Sequence, residues 1–179
     1  CDDALCGALR PAEPRARQRA LDIECPNQRR RELLTTQPNA AHEAIARLEQ
    51  AYHGEVVTQN VDDLHERAGS TRVTHLHGEL RKLRSSRNPD LVVPIEGWEQ
   101  TLDATAPDGS LLRYLGGPLE HRHRLAEEDD MRAQPADLMV VVGTSLAVYP
   151  AASLVRYVLP AIHIFLFGPG QPDTAGIRN

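Results

Sequence analysis

The sequence predicts an α/β fold in which a parallel sheet carries helices on both faces and a small lobe is inserted into it. Three observations lead there. Residues 55–58 form a short apolar run, followed by the polar loop Gln59-Asn60-Val61-Asp62, a short helix through Ala68, a turn at Gly69-Ser70 and a second strand at 72–75. Parallel strands need a crossover between them, and this spacing fits a compact βαβ unit. Near the end, the apolar run 138–142 turns at Gly143-Thr144-Ser145 into a helical segment at 149–159 and a further apolar run at 162–167. Between the halves, residues 81–113 contain Pro89, Pro94, Gly97, Pro107, Asp108 and Gly109, a turn-rich composition with little helical period.

A chain of 179 residues suffices for one compact domain, or a core with a small extra lobe. The net charge of -5 argues against a nucleic-acid partner held mainly through phosphates. No apolar run approaches the roughly 20 residues that cross a bilayer, and none reads as a secretory signal. The expected compartment is cytoplasmic. Cys1, Cys6 and Cys25 agree, since an odd number of cysteines forms no closed disulfide set.

Residues 1–26 read as an irregular leader. They contain several prolines and lack an apolar stripe of regular period, and their arginines are diluted by Asp2, Asp3, Glu13, Asp22 and Glu24. From Asn27 onward, Leu33, Leu34, Ala41, Ile45 and Leu48 recur near helical spacing, interrupted once by Pro38-Asn39. Two helices follow, with Asn39 as N-cap of the second, which turns Ala41, Ala44, Ile45 and Leu48 inward and packs His42. The domain reading places a cofactor-binding domain on 27–80 and 114–179. The lobe at 81–113 folds through Leu91, Val92, Val93, Ile95, Trp98 and Leu102.

Ligands bind at the carboxyl ends of strands in open α/β sheets, which draws attention to the residues there. His77 is the general-base candidate, because imidazole exchanges a proton near neutral pH. Asn-Val-Asp at 60–62 equally suits a cap for the following helix. Glycine at 143 permits close backbone approach, and Thr144 and Ser145 add hydroxyls suited to phosphate or ribose. His75 and His77, two apart on a strand, would face one side and could ligate a metal together with His121 and His123, the basis for a metal-dependent hydrolase.

Gln59-Asn60-Val61-Asp62, His77-Gly78, Gly143-Thr144-Ser145-Leu146 and Tyr149-Pro150-Ala151-Ala152, with Pro38-Asn39-Ala40-Ala41-His42 before them, resemble the sirtuins, NAD-dependent protein deacylases. The resemblance implies a Rossmann-like sheet, NAD as co-substrate and an acylated protein or peptide as partner, with no nucleic acid or membrane. It further implies that His77 takes a proton from a ribose hydroxyl after the acyl oxygen attacks the ribose carbon that bore nicotinamide. Asn60 and Asp62, with Gln59 beside them, would orient the nicotinamide ribose and a water, and Gly143, Thr144 and Ser145 would hold phosphate and ribose.

This chain also departs from the sirtuin pattern. The lobe has no cysteines, so a tetrathiolate zinc site is excluded there and no zinc is expected. No glycine-rich Gly-Ala-Gly-Ile-Ser loop occurs in residues 1–26, and the match after Leu112-Arg113 breaks at Tyr114. Both 1–26 and 114–133 lose periodicity abruptly, which reads as a shifted reading frame or a truncated gene product. The alternative function is a non-catalytic remnant that binds NAD metabolites.

Overall fold

The computed structural model describes residues 15–116, 136–144 and 162–168. The chain divides into two compact units, Cys1–Glu120 and His121–Asn179.

The first unit opens with helix α1, Arg15–Thr35. The sequence predicts an irregular leader to residue 26, but the helix runs straight through Pro26. Its buried face is Ile23, Pro26, Asn27, Arg30 and Leu33, a stripe with helical spacing. Two members of that stripe are polar and one is a proline, so hydropathy did not reveal it. Tertiary bonds stabilise the helix in their place. Asn27 Nδ2 donates to the Gln100 carbonyl at 3.0 Å, and Gln100 N–H donates back to Asn27 Oδ1 at 2.9 Å. The fully buried Arg30 donates from Nε to the Leu80 carbonyl and from Nη1 to Asn27 Oδ1. Burial pulls its guanidinium down to about 10, so it stays charged at neutral pH. Cys25, on the same helix, is disulfide-bonded.

Helix α2, Ala40–Leu48, starts at the expected cap. Asn39 Oδ1 accepts from the Ala41 and His42 amides, and the His42 ring accepts from the Asn39 amide, which closes a capping box. None of its residues is buried, and of the expected inward set Ala41, Ala44 and Leu48 are exposed and only Ile45 is half-buried.

Strands β1 (Val56–Thr58) and β2 (Val73–His75) pair in parallel, with Val56 opposite Val73 and Thr58 opposite His75. Helix α3, Leu64–Ala68, is the crossover and ends on Gly69 in the left-handed conformation at φ 108°. This is the βαβ unit read from the spacing. Arg67 of α3 donates to the Leu33 and Thr36 carbonyls, which satisfies the end of α1.

Strands β3 (Gly78–Ser85), β4 (Val92–Pro94) and β5 (Leu112–Gly116) form an antiparallel sheet in the order β4-β3-β5. Its core is Leu83, Ile95, Ala106 and Leu112, with Leu91, Val93 and Ala104 packed against it. Of the expected apolar set, Leu102 is exposed and Trp98 stacks beneath the Arg31 guanidinium at 3.9 Å. A polar cluster closes the lobe. Ser85 Oγ bonds Asp108 Oδ2 and Ser110 Oγ, each at 2.7 Å, and accepts from the Arg87 and Asn88 amides. Bonds from Ser110 and Ser85 hold the Asp108 carboxyl below the usual carboxylate range.

In the second unit, β6 (Leu138–Val142) and β7 (His163–Phe167) pair in parallel, with Leu138 opposite His163 and Val142 opposite Phe167. The helix expected at 149–159 lies outside the described residues. No described helix is long and apolar enough to cross a membrane.

Candidate active site

The loop at 59–62 leaves the carboxyl end of β1, and His77 follows the carboxyl end of β2, so the parallel pair brings both to one edge. Several bonds fix the loop. Leu76 N–H donates to the Thr58 carbonyl at 2.9 Å, and Leu80 N–H donates to the Val61 carbonyl at 2.7 Å. Asn60 N–H donates to Thr58 Oγ1 at 3.0 Å. The N-cap of α3 is Asp63, which makes no side-chain cap bond, so the expected cap from residues 60–62 does not form; Asp62 Oδ1, one residue earlier, accepts from Leu64 N–H at 3.2 Å. Asn60 is exposed, while Gln59, Asp62 and His77 are half-buried.

His77 belongs to the two-residue turn Leu76-His77 between β2 and β3. The residue after it explains the turn. Gly78 has φ 95°, and a Cβ there would overlap the Leu115 carbonyl of β5. Only glycine meets both demands, which is why His-Gly forms a unit here.

The metal reading needs correction at this point. β2 ends at His75, so the strand alternation that would put His75 and His77 on one side does not extend to His77. The ring of His75 is 4% exposed and already spans two oxygens, with Nδ1 2.9 Å from the Asn60 carbonyl and Nε2 2.7 Å from Glu66 Oε1. Glu66, His75 and Glu79 do bring one ligand atom each within 4.8 Å of one another. Glu79, however, is paired with Lys82 Nζ at 2.8 Å. His121 and His123 lie outside the described residues.

Sequence reasoning missed the Glu66–His75 pair. The two residues sit on a helix and a strand, and their spacing carries no recognisable period. A second histidine contact lies nearby, where the rings of His42 and His65 are 4.7 Å apart. Burial, then the nearby His42, pushes His65 below the usual imidazole range, and its Nδ1 is buried without a hydrogen-bond partner.

In the second unit, Gly143 follows β6 with φ 64°, is exposed, and has open space where a Cβ would stand. Its N–H donates to the Phe167 carbonyl at 2.8 Å, which fixes the turn. Thr144 is half-buried beside it, and Ser145 lies outside the described residues. An open glycine backbone at a strand end fits the close approach of a ribose or phosphate.

A βαβ unit with an amide-acid loop and a histidine at its strand ends gathers polar groups where open α/β sheets bind ligands. The Sir2 family model matches residues 16–101, beginning inside the segment the sequence set apart as a leader. An NAD-dependent protein deacylase of Aggregatibacter actinomycetemcomitans is 45% identical over 152 residues, covering 83% of this chain and 70% of the relative. A second, from Bacteroides thetaiotaomicron, is 41% identical, covering 94% of this chain and 75% of its own. A solved Sir2 homologue in complex with NAD superposes with a TM-score of 0.75 at 32% identity, covering 98% of this chain and 73% of that one. A Sir2 structure bound to acetylated peptide gives a TM-score of 0.66 at 30% identity, covering 83% and 66%. The chain belongs to the Sir2 family, and its fold is the α/β, Rossmann-like one.

Proposed function

We propose that this chain removes acyl groups from protein lysines in an NAD-dependent reaction, with the strand-end cluster of Asn60, Asp62 and His77 as its chemical centre. The observation that carries this reading is the βαβ unit that sets the 59–62 loop and the His77 turn at one edge, in a chain of the Sir2 family. NAD, when bound, supplies the ribose carbon that receives the acyl oxygen. His77 accepts a proton at its imidazole. Its turn is held by the Leu76 amide on one side and by Gly78 on the other. Asn60 and Asp62, with Gln59 beside them, orient the ribose and a water, while Gly143, Thr144 and Ser145 hold phosphate and ribose.

The segments 27–80 and 114–179 form the cofactor-binding part and 81–113 the lobe. The substrate is an acylated protein or peptide, met in the cytoplasm, with no nucleic acid or membrane partner. No zinc serves the lobe, whose closure rests on Ser85, Asp108 and Ser110 and on the Asn27–Gln100 bonds.

The test is nicotinamide release, which should require both NAD and an acylated peptide. His77→Ala should lower it by about 10²–10⁴-fold, the usual worth of a positioned general base. A well-folded chain that binds NAD without consuming it would make the protein a binding module instead.

A further inference from the structure

We propose that His75 is a positioning residue for the reaction, a buried strut that fixes the Asn60 peptide and is itself aimed by Glu66. The role rests on the function proposed above, since it is the Gln59–Asp62 loop that His75 sets.

The Asn60 oxygen is a backbone carbonyl and accepts only, so the Nδ1 that meets it at 2.9 Å carries a proton. The other nitrogen meets the Glu66 carboxylate at 2.7 Å. With Nδ1 donating, Nε2 donates to the carboxylate only in the imidazolium, and in that form the ring cannot turn without losing a bond at both ends. Its side chain is 3% exposed and that of Glu66 is 39%, so one end of the strut is dry and the other is reached by solvent. The strut acts between the other restraints on the loop. Asn60 N–H is held by Thr58 Oγ1, and the next carbonyl, that of Val61, by Leu80 N–H. His75 takes the Asn60 carbonyl, and with it the orientation of the peptide between Asn60 and Val61. A carboxylate that aims a histidine, which in turn fixes a reacting loop, is the general logic by which outer groups orient inner ones. His75 touches no substrate in this scheme and works through Asn60.

The experiment uses the full chain and compares His75→Asn with His75→Leu. The asparagine side-chain amide takes the place of Nδ1 and donates to the carbonyl, whereas leucine fills the space and donates nothing. Backbone amide exchange at 59–63 should quicken by about tenfold in His75→Leu, with the amides of β3 unchanged, and stay within about threefold of wild type in His75→Asn. In the nicotinamide-release assay, His75→Leu should lower kcat by about tenfold while KM for the acyl peptide moves by less than about threefold. If His75→Leu does not fold, Glu66→Ala removes the aiming group from its exposed side, and the same loop exchange decides.

An unchanged loop in His75→Leu, or in Glu66→Ala where that variant stands in, overturns the role. So does an asparagine variant as loose as the leucine one. Zinc titrated into the wild type that binds at unit stoichiometry and is lost in Glu79→Gln would also overturn it, by making Glu66, His75 and Glu79 a metal site. Failure of the deacylase reading shows differently, as no NAD-dependent release by wild type, and the exchange measurement stands without turnover.

Discussion

Gly78 couples the conformation of one residue to the placement of the one before it. Its φ of 95° and its contact with the Leu115 carbonyl leave no room for a side chain. Gly78→Ala should cost about 1–3 kcal/mol from the backbone conformation alone, with the overlap adding to it, and urea unfolding measures the loss. The His77 turn moves with it, so nicotinamide release should fall in the same variant even where it is still folded. At this scale the sequence placed Gln59, Asn60 and Asp62 just after a strand, because polar groups following an apolar run mark a strand end. It was silent on the partners of His75, Glu66 and a backbone carbonyl, two contacts that no pattern along the chain encodes. It erred in pairing His75 with His77, since a turn begins where the strand was assumed to continue.

Helix α1 shows why elements differ in legibility. The βαβ unit was readable because apolar runs, a glycine turn and the crossover length all agree. The start of α1 was not, because its inward stripe uses Asn27 and Arg30 where leucines would have announced it, and because Pro26 reads as a breaker. The lobe shows the same effect. Its strands β3 and β5 carry alternating charged residues, and the inward Leu80, Leu83, Leu112 and Leu115 were lost among them. The Asn27–Gln100 bonds join helix to lobe. Asn27→Ala leaves the Gln100 amide buried without its acceptor and should destabilise the fold by about 1–3 kcal/mol, seen as a lower denaturation midpoint with an unchanged slope.

For the molecule as a whole, the His42–His65 contact links stability to mild acid. Burial and His42 hold His65 below its reference of 6.5 in the folded chain. The unfolded chain therefore binds more protons in the window beneath that value. The stability from a neutral His65 is fully present above about pH 6.5 and is lost as pH falls through the lowered folded value. Thermal melts between about pH 5 and 7 should show this slope, and His65→Asn should flatten it. The two units carry the family's motifs separately, with the amide-acid loop and His77 in one and the Gly143 turn in the other.

Lys82 is the single lysine of the sequence, tied to Glu79 in the central strand of the antiparallel sheet. A lysine-specific protease thus has one bond to cleave, and cleaving it severs the His77 half from the Gly143 half. While β3 stays hydrogen-bonded on both flanks, that bond is out of reach of a protease cleft. The rate at which two fragments accumulate is then a direct clock for the opening of this strand.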